Sequence, residues 1–431
     1  MPHLQHSKLT SILIIGLLFF VFGFVTWLNG PLIGFVQLAF ELSVFKAFLV
    51  TFVFYLSYFF FALPASVILD RTGMKKGMAL GLGVMAVGSF AFGEFCVQRS
   101  YPGALTGLFV IGIGLSLLQT ASNPYISILG PIESAAQRIA ILGIFNKVAG
   151  ILAPIVMGVL VLHGMDDLSG RVAAADAQGK KALLDAFAAR IHGPYMMMAV
   201  ALLALGAGIM FSPLPDVRAE EREGAASDSS SLFDYPHVWL GALAIFVYVG
   251  VEVMAGDAIG TYGRSFGLPL DETRFFTSFT LGAMLVGYAA GFALIPRFVS
   301  QQRYLAFSAV LGMLLTLGAY LTKGYLSVGL VATLGFANAM MWPAIFPLGI
   351  HGLGRLIERG SALLIMGIAG GAVIPQLFAW LKQRYDFQLV FLLLMLPCYL
   401  YILYFAQYGY RAPKRTASLP TTPRAQPRSK A

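Results

Sequence analysis

Charge is scarce in this 431-residue chain. Asp, Glu, Lys and Arg make up 11% of it, where soluble domains carry about 25%. Hydrophobic residues make up 58% and the mean hydropathy is +0.78. That balance excludes a water-soluble globule. Cysteine is nearly absent: Cys96 and Cys398 sit in distant apolar stretches and form no redox or metal motif. The six histidines lie at the ends of apolar runs or between them, without metal-ligand spacing, so neither a metal nor a resident cofactor is expected. There is no Gly-x-x-x-x-Gly-Lys-Ser/Thr loop, and the polar segments are too short for a nucleotide domain. ATP hydrolysis is therefore not expected. A channel is disfavoured by the lack of a glycine-rich filter or a ring of charges. The net charge of +9 comes from loops and a tail, the pattern of loop retention at a membrane and not of nucleic-acid binding.

What the chain does have is apolar length. Windows of about 20 apolar residues mark membrane spans. Twelve are read, at roughly 10–36, 46–69, 77–98, 103–129, 138–162, 193–212, 237–262, 273–295, 304–321, 326–350, 360–381 and 388–409. The expected fold is an all-α polytopic membrane protein, two six-helix bundles over 1–212 and 237–409. Residues 213–236 form a linker and 410–431 a disordered basic tail. The first apolar stretch is too long for a signal-peptide core and reads as the first span. The loop 163–192 has room for a short amphipathic helix near 174–190. Arg71, Lys75 and Lys76 form the densest short-loop basic cluster, and the tail adds six more cations. Both termini are expected in the cytoplasm, in the cell's inner membrane. A monomer in the bilayer is expected.

One polar patch interrupts the apolar pattern. Gln119, Thr120, Ser122 and Asn123 fall within about one and a half helical turns, followed by Pro124. Hydrocarbon cannot satisfy amides and hydroxyls, so the cluster must face protein or a wet cavity. Pro124-Tyr-Ile-Ser-Ile-Leu-Gly130 recurs as Pro343-Ala-Ile-Phe-Pro-Leu-Gly349, an offset of 219 residues, close to half the chain. Two copies of one membrane unit, each interrupted by proline at the same place, point to a substrate path between the halves.

Asp70-Arg71-Thr-Gly73-Met-Lys75-Lys76-Gly77 closes the second span with an acid, a turn glycine and a basic cluster. Such a loop is either a latch between neighbouring helices or a capped positive-inside turn. Its spacing resembles the loop motif of the major facilitator superfamily. With Gln119–Gly130, Phe145-Asn146-Lys-Val-Ala-Gly150, Tyr248-Val-Gly-Val-Glu252 and Pro343–Ile350, the chain resembles the fucose permease family of sugar symporters. Thr26-Trp-Leu-Asn-Gly-Pro-Leu-Ile33 is similar to members handling glucose, galactose or N-acetylglucosamine. The resemblance implies a twelve-helix, two-half fold and sugar–cation symport. It also implies carboxylates at two positions where this chain has Gly30 and Gln119. Fucose as substrate, and that proton route, are thereby put in doubt.

Other acids could serve. Glu252 and Asp257 lie in the seventh span, five residues apart, about 140° round a helix. Glu252, the deeper, is either a coupling acid or the static partner of Lys147 in the fifth span. Asp257, nearer the outer end, shares that site, acts at a gate or lies at the surface. Sugar binding calls for amides that donate and accept, and for flat aromatic faces. The intramembrane amides are Asn29, Gln119, Asn123, Asn146 and Asn338, and the candidate indoles are Trp27 and Trp342. The resulting expectation is a symporter importing a neutral monosaccharide with H⁺ or Na⁺ by alternating access. A non-transporting sugar sensor, or a permease for another small polar solute such as fucose, stands beside it.

Overall fold

The structure is a computed structural model that describes residues 2–128, 135–212 and 231–411. The expected linker falls largely, and the tail almost wholly, outside the described residues, as do Leu129 and Gly130 of the first repeat.

Among the described residues twelve helices are long and apolar enough to cross a membrane. Spans 1–6 are Leu13–Ala39, Val44–Thr72, Met74–Val97, Tyr101–Asn123, Arg138–Leu160 and Ala177–Phe211. Spans 7–12 are Pro236–Gly256, Leu270–Leu294, Gln301–Leu321, Gly324–Ile350, Arg359–Leu381 and Phe387–Gly409. Large apolar side chains such as Phe59, Val87, Phe90, Leu203 and Leu314 are exposed. Water would penalise that surface and lipid tails do not. One short helix, Met165–Ala174, precedes span 6, and a second, Ala177–Ala189, forms the start of that span, where a single short helix was expected.

Three spans are broken within the bundle. Span 1 is a helix ending at Trp27 and a second one over Asn29–Ala39. Pro31 has no N–H to give the Trp27 carbonyl four residues back, and its ring clashes there, so the helix breaks at that carbonyl. Span 10 breaks in the same way: Gly324–Asn338 and Met341–Ile350 meet just where Pro343 disrupts the Ala339 carbonyl. Span 7 has no such proline. Its main helix ends at Gly256, the Ala258 N–H bonds Val253 O five residues back, and a short helix resumes over Ile259–Arg264. Span 4, by contrast, belongs to a helix running Tyr101–Ile128 past Pro124. The proline interruption expected in both repeats breaks only the second.

The turn between spans 2 and 3 needs its glycine, since Gly73 has φ 78°. Lys75 Nζ donates to Ser212 O at 2.6 Å, joining span 3 to the end of span 6. Asp70 and Arg71 are exposed and make no ion pair among the described residues. The charge-paired form of the latch is thus not what holds this turn.

On the face opposite Gly73 the two halves are tied together. Arg274 Nη1 donates to Leu162 O at 2.6 Å, Ser278 Oγ to Ile151 O at 2.9 Å, and Gln376 Nε2 to Phe45 O at 3.1 Å. Each bond crosses from the second half to the first, closing the bundle on that side.

Candidate functional site

Midway through the bundle lies a cavity of about 80 Å³ whose wall comes from both halves. The first half contributes Trp27, Tyr55, Tyr58, Gln119, Asn123, Asn146 and Lys147 to its wall. The second contributes Tyr248, Glu252, Tyr288 and Trp342. Asn123 and Trp342, related by the 219-residue offset, face this one cavity from opposite halves.

The polar wall is partly committed to itself. Lys147 Nζ lies 2.9 Å from Glu252 Oε1 and sits 4.3 Å from the centroid of the Trp27 ring. Trp27 Nε1 donates to Asn146 Oδ1 at 3.3 Å. The indole is wedged against glycines: a methyl on Gly256 would stand 2.4 Å from its ring and one on Gly150 2.5 Å away. Gln119 Nε2 donates to the Tyr58 hydroxyl at 2.9 Å, and Asn123 Nδ2 to Gln119 O at 3.1 Å. Trp342 stacks on Phe346 at 5.6 Å. Two indoles, four phenols, three amides and one ion pair can flank a flat polyhydroxylated solute, giving donors, acceptors and apolar faces at once.

Two of the expected sugar-binding residues do not reach the cavity. Asn338 Oδ1 accepts from the Tyr399 hydroxyl at 2.8 Å, holding span 10 to span 12. Asn29 is 1% exposed behind the wall, beside the Tyr55 hydroxyl. The two acids separate as well: Glu252 lines the cavity and Asp257 does not. The tyrosines Tyr55, Tyr58, Tyr248 and Tyr288 were not singled out from sequence. Their signal was position, since tyrosine deep in a span has no interface at which to place its hydroxyl.

The fold and cavity define a multi-pass membrane protein with a polar, aromatic-lined site between two six-helix halves. A family model of the Major Facilitator Superfamily matches residues 15–374, and the chain belongs to that superfamily, a family of transporters and not of enzymes. It is 33% identical over 401 residues to a glucose/galactose transporter of Brucella abortus, covering 92% of this chain and 93% of the relative. It is 30% identical over 381 residues to the L-fucose-proton symporter of Escherichia coli K12, covering 85% of each. The crystal structure of the transporter FucP in its outward conformation superposes with a TM-score of 0.76 at 25% identity, over 94% of this chain and 99% of that one. These likenesses place the chain in the fucose permease branch.

Proposed function

We propose that the protein is a secondary active symporter that imports a neutral hexose of the glucose/galactose type with a cation, by rocking of its two halves about the central cavity. The observation that carries this is the wall itself. Gln119, Asn123 and Asn146 supply paired donors and acceptors, Trp27 and Trp342 supply faces, and both halves contribute. A site built from both halves is re-formed or dismantled as they rock, the requirement for alternating access. The named activities of the Brucella and Escherichia relatives support the reading. Gly30 and Gln119 favour hexoses over fucose, because the resemblance to the fucose permease implies carboxylates there.

The protein then lies in the inner membrane with both termini in the cytoplasm. Gly73 and the Lys75–Ser212 contact are on the cytoplasmic face, and the closed face is external. Residues 1–212 and 237–409 are the rocking halves and 213–236 joins them.

The test is uptake into proteoliposomes of labelled glucose, galactose, mannose, N-acetylglucosamine and fucose, each with and without a sodium or pH gradient. Gradient-driven accumulation of glucose or galactose is expected. Equilibration without accumulation, under every gradient, would defeat symport. A reporter after Ala431 should be active inside and one near Ala175 outside.

A further inference from the structure

Among the described residues Asp257 is the one acid buried throughout, at 2% exposure, with no side chain hydrogen-bonded to it and the Gly30 backbone as its nearest polar neighbour. It follows the last residue of the main span-7 helix, at the break. Facing it is Gly30, in the first turn of the second segment of span 1. A methyl on Gly30 would stand 3.2 Å from Asp257 Oδ1 and 2.6 Å from Thr277 Oγ1. Two helix breaks, one from each half, therefore meet at a carboxylate. The Thr277 hydroxyl is committed to Gly256 O at 2.8 Å. Next to Gly30, the Asn29 amide is buried beside the Tyr55 hydroxyl.

Asp257 lines neither neighbouring void. The central cavity stops at Trp27 and Tyr55, and a smaller external space stops at Gly30 and Thr277. The carboxylate stands in the wall between them. An ionised carboxylate without a cation of its own is strongly disfavoured in a dry wall. The charged and titratable groups that face it are Glu252 on its own helix, Lys147 on span 5 and Tyr55 on span 2. Lys147 is already engaged by Glu252 at 2.9 Å. A metal cation would need a shell of converging oxygens. Gly30 packs in contact here, and neither void enters. A proton needs no shell.

We propose that Asp257 is the proton-binding site that couples sugar movement to the gradient, and that the Gly30–Asp257 seam closes when that carboxyl is neutral. This rests on the symport reading above and assigns its driving cation. When the seam opens, external water reaches Asp257, which takes up a proton; the neutral carboxyl then tolerates the dry contact with Gly30. When the cavity opens to the other face, water reaches the wall beside Tyr55, which lines the cavity, and the proton leaves there. Glu252, compensated by Lys147, keeps its charge throughout and serves the sugar side. The sequence favours Glu252 for coupling by its depth; the tertiary contacts give it a cation and leave Asp257 with none.

The experiment uses full-length protein in proteoliposomes, with labelled galactose, an internal pH dye and controlled Na⁺. The wild type should acidify the lumen on adding external sugar, and should accumulate sugar on a pH gradient without Na⁺. Asp257→Asn should lose both the acidification and the accumulation, its inside-to-outside ratio falling to about one, while sugar-for-sugar exchange persists. Asp257→Glu, which keeps a titratable group, should restore part of the accumulation. Accumulation by Asp257→Asn, or Na⁺-driven accumulation by the wild type at clamped pH, overturns the assignment and leaves the sugar-symport reading intact. Absence of any sugar flux in the wild type removes that reading and this one with it. Should Asp257→Asn not fold, Asp257→Glu decides: a shifted pH dependence of accumulation supports the assignment, and a wild-type pH dependence overturns it.

Discussion

Lys147 and Glu252 form an ion pair at 2.9 Å that bridges span 5 of the first half and span 7 of the second across the central cavity. Their side chains are 6% and 12% exposed, so each charge depends on the other. Removing one partner of such a pair costs up to about 3–5 kcal/mol, while removing both together costs far less. Lys147→Gln and Glu252→Gln should each lower the melting temperature in detergent, and the double variant should recover most of the loss. Additive losses in the double variant would show that the pair does not couple the halves.

The amide patch should govern affinity. Asn123 and Gln119 lie one turn apart on the wall, and Asn123 Nδ2 is held by the Gln119 carbonyl at 3.1 Å. Asn123→Ala removes a donor and an acceptor, each worth about 1 kcal/mol net. Hexose affinity of the purified protein, read by calorimetry, should weaken by about tenfold or more, with folding retained. Equal affinity would return Asn123 to the role of interhelical spacer.

Gly30 should set how tightly the external seam shuts. Gly30→Ala forces a methyl against Thr277 and Asp257, and overpacking of this kind costs about 1–3 kcal/mol. That cost falls on the closed form alone, so the population shifts toward the open one. A cysteine at Gly34, which faces Arg264 in the same seam, should then react several-fold faster with an impermeant maleimide. Cys96 and Cys398 are buried and should stay silent. An unaltered rate would show that the seam is not the gate.

Lys382 should give the face opposite Gly73 a pH dependence. It lies one residue beyond span 11, donates to Ser265 Oγ at 3.0 Å, and is held down to about 8 by burial and then by the nearby Arg264 charge. The unfolded lysine keeps its proton to near 10.5. Between those values the unfolded state binds more protons, so stability rises with pH across that window. Thermal melts from pH 8 to 10.5 should show a gain in the wild type and a flatter profile in Lys382→Met. A falling profile that Lys382→Met leaves unaltered would refute the assignment.

Composition and periodicity alone determined that this chain spans a membrane twelve times in two related halves. Hydrocarbon admits only long apolar helices, so hydropathy reports them directly. The breaks in spans 1 and 10 were legible for the same local reason: Pro31 and Pro343 each deny a carbonyl four residues back. Gln119, Asn123 and Trp342 could be placed on one cavity because the 219-residue repeat maps one half onto the other. The fate of the acids could not be read this way. Glu252 and Asp257 lie on one span with similar neighbours in sequence, and their difference arises from other spans. Lys147 on span 5 arrives beside one, and Gly30 on span 1 packs over the other. Asn338 looked like a sugar-binding amide until Tyr399, 61 residues away, took its oxygen. Partnership across helices depends on how rigid spans are rotated and packed. That is a property of the assembled bundle, since the energy of a buried polar group is set by what lies within about 3 Å of it.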